Sequence, residues 1–245
     1  MTTTGRARTA RERGDRAEHI LDVAVELVLR FGYRRVTIDD IAHQAGIGKG
    51  TIYLHWRTRD DLFQAVFERE MVAAIEELIE VLHRDSDMWR PRNFVRGYFL
   101  AIMNRPLLRA VALADTEILG ALAGPDRGAA TDRHQVISRA YISHLAERGV
   151  LRDDLDIDEL SYALLATLEG FLTAGGADHP HLDLQARAEL LALTVAGAFE
   201  TPVPLTSSAQ SAISRYVIGL LTELVAAGRA DLDLEPPQAP AHLAR

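Results

Sequence analysis

Apolar residues recur at three- and four-residue steps along almost the whole chain, which is the spacing of one buried face of an α-helix. The first such segment runs from Ala17 to Phe31 and is followed by Gly32, which predicts a helix that ends there. The same pattern, broken by Gly, Pro and Asp, predicts later helices near residues 92–104, 106–122, 131–148, 157–174, 185–200 and 208–227. The sequence therefore predicts an all-α protein.

Two short helices are predicted behind the first. Thr37 can cap a helix whose third residue is Asp40, and Gly46 can take the left-handed conformation that a sharp turn needs at its end. Another helix begins almost at once and includes Gly48 to Leu54. Two short helices joined by a Gly-containing turn, behind a packing helix, are typical of a helix-turn-helix, which places its second helix in the DNA major groove.

A second capping pattern predicts a long connecting helix. Thr58 is followed by Asp61 at the third position, and the apolar stripe then continues to Leu82. A helix of this length would leave the DNA-contacting module and enter the rest of the protein, so it could carry motion between the two.

Charge is divided unevenly along the chain. Residues 1–60 hold 11 Lys or Arg against 8 Asp or Glu, whereas residues 61–245 hold 16 against 27. A basic end on an acidic protein suits contact with a polyanion, although a solvated charged surface would give the same count. The sequence has no cysteine, and no stretch of 18 apolar residues lacks a charge. We expect a cytoplasmic protein without a membrane segment, a metal or a cofactor.

The most distinctive segment surrounds Lys49, the one lysine among the 27 basic residues. Gly48 and Gly50 flank it, and each would cost a helix interior about 1 kcal/mol relative to alanine, so we expect the backbone there to approach a partner closely. Lys49 is a donor for a phosphate or a guanine edge. The pattern predicts that Ile52 and Trp56 turn into the core.

Alternatives remain for this segment. Tyr53 could be a core aromatic residue, and His55 could be a solvated side chain without a role. The glycines superficially suggest a phosphate-binding loop, but neither the dinucleotide nor the triphosphatase spacing is completed. Arginines before the first helix could follow a minor groove or belong to a tail that makes no contact.

The stretch from Asp15 to Phe67 resembles the N-terminal domain of the TetR family of transcriptional regulators, above all in TIDDIAHQAGIGKGTIYLHWRTRDDL, residues 37–62. The resemblance implies a three-helix, helix-turn-helix DNA-binding domain followed by a helical ligand-binding and dimerisation domain. It implies that the DNA backbone is held by Thr37, Tyr53, His55 and Arg59, and that bases are faced by Lys49, Gly50 and Thr51.

Two positions depart from the family pattern. Serine often stands where this chain has Gly48, so we expect the third helix to start less firmly. Lysine commonly stands where this chain has Arg59. Arginine keeps the charge, so we expect the phosphate contact to survive.

We expect four regions: a flexible Arg-rich arm (1–14), the DNA-binding domain (15–62), an effector-binding and dimerisation domain (63–230) and a flexible tail (231–245). Candidate residues for the effector pocket are Phe94, Tyr98, Met103, Ile137, Tyr141, Glu169 and Phe171. Glu169 lies at the edge of an apolar helix, where it could face a cationic ligand, a tyrosine or a second subunit. The helix 157–174 is a candidate for the dimer interface, paired with 185–200 or 208–227.

The predicted function is that of a homodimeric regulator without enzymatic activity, which a small-molecule effector releases from a palindromic operator. Two recognition helices about 34 to 36 Å apart would read successive major grooves. An enzyme and a helical protein-interaction adaptor are the rival classes. The sequence contains no nucleophile elbow and no paired-histidine metal motif to favour an enzyme.

Overall fold

A computed structural model describes residues 3–113, 128–174 and 181–232 of the chain. Its regular elements are helices, and the prediction of an all-α protein is confirmed. Apart from one isolated antiparallel bridge between Leu151 and Glu200, the described residues form no β-structure. The helices are α1 (Thr3–Phe31), α2 (Ile38–Gln44), α3 (Lys49–Tyr53), α4 (Arg59–Arg84), α5 (Pro91–Met103), α6 (Pro106–Ala112), α7 (Gly128–Ala146), α8 (Ile157–Thr173), α9 (Leu184–Phe199) and α10 (Ser207–Asp231).

The start of α1 differs from expectation. The helix reaches back to Thr3 and so includes most of the segment that we expected to form a flexible arm. Its end agrees with the sequence pattern, because Gly32 follows the last helical residue with a φ of 79°, a conformation that side-chain-bearing residues rarely adopt. Arg6, Arg8 and Arg11 have side chains outside the described part of the structure.

A small hydrophobic core unites α1, α2, α3 and the first turns of α4. Large side chains at its centre are fully buried or nearly so, among them Ile20, Leu21, Ile41, Ile52 and Phe63. We call this unit the head. It also receives Leu107 and Ala110 from α6 and Leu232 after α10, so its core includes residues from distant parts of the sequence.

A larger core lies in the remaining helices, which we call the body. Helix α9 packs mainly on α5 and α8, and α10 packs on α4 and α7. Helix α4 belongs to both units, because Leu62 and Phe63 lie in the head core whereas Ile75 and Leu78 lie in the body core. The expected boundary after residue 62 therefore falls inside one continuous helix.

Helix α10 is the one helix in the described ranges that is long and apolar enough to cross a membrane, with a mean hydropathy of 1.2. This is weak evidence, because a core helix can have the same composition. Ile213, Val217 and Leu221 of α10 are buried in the body core. The helix therefore has a packing role that accounts for its apolar residues.

Helix α6 is shorter than the expected helix over residues 106–122. It ends at Ala112, and the rest of the expected helix from residue 114 onward lies outside the described residues. The expected tail over residues 231–245 is likewise outside them from residue 233.

Candidate DNA-binding surface

The first turn of α2 is fixed by the capping box that the sequence predicts. The Thr37 hydroxyl oxygen accepts from the Asp40 backbone N–H at 3.2 Å, and the Asp40 carboxylate accepts from the Thr37 backbone N–H at 2.8 Å. The Thr37 hydroxyl also donates to Asp40, at 2.7 Å. The hydrogen bond from the Thr37 hydroxyl to the Asp40 carboxylate, followed by the one from the Thr37 backbone N–H, holds the pKa of the Asp40 carboxyl below its ordinary value. Thr37 thus lies at the exposed start of α2, but its hydroxyl is already engaged in the cap.

The turn after α2 sets the direction of α3. Gly46 has a φ of 66°, and the Ile47 N–H donates to the Ala42 carbonyl at 3.0 Å. Gly48 caps α3 without any side-chain hydrogen bond, as its lack of a serine hydroxyl predicts. The chain therefore enters α3 through backbone geometry alone.

One face of α3 belongs to the core. Ile52 is fully buried and Trp56, just beyond the helix, is 9% exposed, which confirms that both turn inward. The opposite face is open: Gly48, Lys49 and Gly50 are exposed, and Tyr53 is 45% exposed. The alternative interpretation of Tyr53 as a core residue is therefore wrong.

Two polar residues of this segment, one within α3 and one just after it, are more sheltered. Thr51 and His55 are half-buried, and the His55 ring lies against Trp56 with their centroids 5.3 Å apart. Leu54 is 77% exposed and was not among the residues singled out from the sequence. Its apolar side chain on the same surface is suited to contact with a thymine methyl group.

The protein's own packing does not require glycine at position 50. A Cβ atom there would meet no protein atom within 4 Å, and one at Gly48 would only reach the Thr51 hydroxyl oxygen at 4.0 Å. Alanine would also be the better helix former. The open space in front of these two glycines therefore lies where a partner can approach the backbone.

Lys49 is paired within the protein. Its Nζ atom lies 2.9 Å from Oδ2 of Asp39, in the first turn of α2, and the side chains are 47% and 70% exposed. This hydrogen bond raises the pKa of the Lys49 ammonium group above its ordinary value. The sequence does not reveal the pair directly, because ten residues and a turn separate its members.

Arg59 has a different environment from the one expected. Its Nε donates to the Val36 carbonyl at 2.9 Å, a second guanidinium nitrogen donates to the Tyr33 carbonyl, and the guanidinium carbon lies 3.9 Å from the centroid of the Tyr33 ring. Arg59 thus fastens the start of α4 to the loop before α2. The structure gives no support to the expectation that Arg59 holds a phosphate.

Tyr33 completes this fastening. Its hydroxyl donates to Oδ1 of Asp60 at 2.5 Å, and its ring contacts Phe63 edge-on, with centroids 4.8 Å apart. Burial, followed by the hydrogen bond to Asp60, raises the pKa of Tyr33 to about 12. The loop between α1 and α2 is therefore tied to α4 by three side chains.

The helix-turn-helix itself carries little positive charge. Residues 36–56 contain Lys49 against Asp39 and Asp40. Arg34 and Arg35 before α2 and Arg57 before α4 are exposed. Sequence reasoning did not single out these three arginines, although counting charges within the helix-turn-helix would have shown that positive charge beyond Lys49 must come from outside it.

The candidate effector residues lie in the body. Met103 and Tyr141 are buried in its core, and Phe94, Tyr98, Ile137 and Phe171 pack partly buried against it. The rings of Phe94 and Tyr141 stack 4.7 Å apart, and the Tyr141 hydroxyl donates to the Trp89 carbonyl at 2.8 Å. Burial raises the pKa of Tyr141 well above its ordinary value.

Glu169 does not join that group. Its side chain is exposed on α8, one and two turns beyond Leu165 and Tyr162, which are 44% and 77% exposed. The expectation that Glu169 lines an internal pocket is therefore corrected, since it lies on an outward face. On the neighbouring helix α9, Leu190 and Leu193 are 42% and 68% exposed.

Metal-binding side chains are not assembled in the ranges that the structure covers. No group of three or more His, Asp or Glu residues there could hold a metal ion.

The family model for bacterial regulatory proteins of the tetR family matches residues 20–66 of the chain. This range spans the C-terminal part of α1, all of α2 and α3, and the first two turns of α4, all of which belong to the head. The match thus covers the candidate DNA-binding surface.

Known regulators match this chain over stretches of two different lengths. The chain is 26% identical to the HTH-type transcriptional regulator TtgR of Pseudomonas putida over 178 residues, which make up 67% of this chain and 82% of that protein. It is 38% identical to the fatty acid metabolism regulator protein of Bacillus subtilis over 61 residues, which make up 25% of this chain and 31% of that protein. The second aligned stretch is about as long as the head alone.

A solved structure shares the fold more widely. The transcriptional regulator FadR of Bacillus subtilis, in complex with stearoyl-CoA, aligns with a TM-score of 0.58 at 20% identity, over 73% of this chain and 96% of that chain. The likeness therefore extends beyond the head into the helices of the body.

Proposed function

Because the chain belongs to the TetR family of transcriptional regulators, we propose that it is a homodimeric repressor that leaves a palindromic operator when a small-molecule effector binds. The observation that supports DNA contact most directly is the open space in front of Gly48 and Gly50. Two exposed glycines with no intramolecular reason to be glycine fit a backbone that approaches a DNA duplex.

We assign the contacts on that surface by side-chain chemistry. Lys49 and Thr51 face base edges, and Gly50 lets the start of α3 sink into the major groove. Tyr53 donates its hydroxyl to a phosphate, since it is exposed and lies at the end of the same helix.

Other residues hold the duplex backbone at the edges of the surface. His55 contacts it beside Tyr53, and Thr37 contacts a phosphate at the exposed start of α2. Arg34, Arg35 and Arg57 supply positive charge in place of Arg59. Phosphate contacts of this kind position the head without reading the sequence.

Dimerisation is proposed through α8 and α9. These helices pack on each other and expose Tyr162, Leu165, Leu190 and Leu193 on their outer faces. Such large apolar side chains on neighbouring helices suit burial against a second copy of the chain, in which the same residues meet across a twofold axis. Glu169 would then face the partner subunit.

The effector is proposed to bind in the body, between residues 63 and 230. Support comes from the solved regulator of similar fold that holds stearoyl-CoA and from the aromatic side chains around Tyr141. An effector that binds one conformation of the body more tightly than another makes that conformation more populated, and the position of the head changes with it. We propose that the protein works in the cytoplasm, where it meets DNA, and that it has no catalytic activity.

Selection of bound fragments from genomic DNA tests the proposal. Purified protein should enrich a palindrome, and a gel shift with that duplex should show a preference over scrambled DNA together with a steep loss of affinity as salt rises. Binding without sequence preference would contradict the proposal. So would a protein that is still monomeric at the concentration at which half of the duplex is bound.

A further inference from the structure

The helix-turn-helix contains less positive charge than its proposed role suggests. Between residues 36 and 56 the single Lys or Arg is Lys49, and its ammonium group lies 2.9 Å from the Asp39 carboxylate. Both side chains are exposed, so neither is forced into the pair by burial. The carboxylate lies on the surface that would meet DNA phosphates, where an unneeded negative charge weakens binding.

We propose that Asp39 is a specificity-determining residue, which holds Lys49 over the start of α3 so that the lysine serves base edges rather than phosphates. This inference rests on the proposed function. Asp39 acts through Lys49: it positions the lysine ammonium group and does not itself contact a base.

Lysine chemistry explains why such a holder is useful. Its ammonium group is a point charge on a flexible four-carbon chain, so an unrestrained lysine near a duplex can reach several phosphates. Phosphate contacts strengthen binding to every sequence alike, whereas contacts to base edges distinguish sequences. A lysine that is held in one place by a carboxylate therefore makes fewer contacts with phosphates.

The pair leaves Lys49 able to read a base. An ammonium group has three protons to donate, and the bond to Asp39 uses one of them. The other two can be donated to acceptors such as O6 and N7 of guanine. The pair can therefore enter the groove intact.

Asp39 lies in the first turn of α2, where a negative charge favours the helix N-terminus, but this role does not require a bond to Lys49. The adjacent Asp40 forms the capping box with Thr37, and the Asp39 side chain is 70% exposed. Asparagine at position 39 would keep the size and polarity of the side chain and remove its charge. We therefore expect Asp39→Asn to fold normally.

The test compares Asp39→Asn with its control variants on two duplexes, the palindrome returned by fragment selection and a scrambled version of it. In Asp39→Asn, affinity for the scrambled duplex should rise roughly two- to five-fold, the range expected when one exposed ion pair is released. Its logarithm should fall more steeply with the logarithm of salt concentration, by about 0.9, because one more cation meets a phosphate. Operator affinity should rise less or fall, so the ratio of operator to scrambled affinity should decrease.

The controls separate position from net charge. Asp39→Glu, which keeps the carboxylate, should preserve the ratio. Asp153→Asn removes the same charge from the exposed loop between α7 and α8 and should leave the ratio at the wild-type value. In a Lys49→Ala background, Asp39→Asn should no longer increase the salt dependence.

An unchanged ratio in Asp39→Asn would overturn the inference, and so would an equal change in Asp153→Asn. Loss of preference at a single base pair, with no gain on scrambled DNA, would also overturn it, because Asp39 would then read a base itself. If the wild-type protein shows no preference for any duplex, the proposed function fails. A wild-type preference that Asp39→Asn leaves intact refutes only the role of Asp39.

Discussion

Replacing Gly50 by alanine should affect stability and DNA binding in opposite directions. The substitution adds one methyl group at the exposed face of α3, where a Cβ atom meets no protein atom within 4 Å. The backbone of Gly50 is helical and lies outside the positive-φ region, so alanine can adopt it without strain. Any harm to function must therefore arise outside the folded subunit.

The stability change follows from helix propensity. Alanine in a helix interior is favoured over glycine by about 0.8 to 1 kcal/mol, chiefly because it loses less backbone entropy on folding. Helix α3 has five residues, so Gly50 lies close to its end and the gain should be nearer about 0.5 kcal/mol. We expect a small increase in the free energy of unfolding.

The change in operator affinity has the opposite sign. If the α3 backbone contacts DNA at van der Waals distance, a methyl group there pushes the helix outward by about the length of a carbon–carbon bond. Lys49 and Thr51 on either side would then lose their hydrogen-bonding distances. Losing one good base contact costs about 1 to 3 kcal/mol, so operator affinity should fall roughly 5- to 150-fold.

Gly219→Ala is the matched control. Gly219 lies on α10, is exposed and also has no protein atom within 4 Å of an added Cβ. Chemical denaturation and a fluorescence anisotropy titration with labelled operator should show greater stability for both variants and weaker binding for Gly50→Ala alone. If Gly50→Ala bound the operator as tightly as the wild type, the backbone would not approach DNA closely and our interpretation of the glycines would be wrong.

Four further predictions address single side chains. Lys49→Ala should lower operator affinity roughly 5- to 150-fold and relax the preference at one base pair; equal losses on all sequences in a binding-site selection would show a phosphate contact instead. Tyr53→Phe should weaken binding to operator and scrambled duplexes alike by gel shift, and a loss confined to one base pair would contradict its phosphate role. Leu193→Glu on α9 should shift analytical ultracentrifugation profiles to the monomer, whereas Val136→Glu on α7, which is 67% exposed in the wild type, should not; a dimeric Leu193→Glu protein would argue against the α8–α9 surface. The pKa of Tyr33 is raised to about 12 in the fold, so its protonated form contributes stability that is complete below pH 10 and lost as pH rises from about 10 to about 12; denaturation curves should show a shallower loss over that window for Tyr33→Phe, and identical losses would refute it.

The sequence was most informative about local structure. The two capping boxes, at Thr37 and Thr58, are both present, because each needs only a threonine and an aspartate three residues apart. The inward direction of Ile52 and Trp56 followed from helical spacing in the same way. Features determined within one or two turns of chain could thus be read from composition and spacing.

Pairings between distant elements could not be read in this way. Arg59 resembles a surface cation in the sequence, yet its guanidinium is occupied by carbonyls 23 and 26 residues earlier. The contact depends on how closely the loop at Tyr33 approaches α4, which depends on packing of the whole head. The pair between Asp39 and Lys49 likewise depends on the angle between α2 and α3.

The outward position of Glu169 shows a related limit. Helical spacing places Leu160 and Leu164 on one side of α8, in a stripe of large apolar residues. Small residues, among them Ala166 and Gly170, form a neighbouring stripe. It could not tell which stripe faces the body and which faces solvent, because both are apolar enough to be buried. The structure buries Leu160 and Leu164 and leaves Ala166, Glu169 and Gly170 exposed.

Ion pairs and apolar packing both connect the body to the head. Arg69 on α4 is bonded to Asp22 of α1 at 2.7 Å, and Arg105 before α6 lies 3.4 Å from Glu70, so charged side chains do link α1, α4 and α6. The side chains of Arg69, Glu70 and Arg105 are only 13%, 16% and 25% exposed, so breaking one of these pairs would leave a poorly solvated charge.

Leu107 of α6 adds an apolar link. It is 3% exposed and packs in the head core, and fully burying a leucine contributes about 1.5 to 3 kcal/mol. A ligand that displaces α6 must either pull Leu107 out of the head at that cost or move the head with it. Because Leu107 and these ion pairs would both have to break for α6 to move alone, movement of the head with α6 is the less costly response.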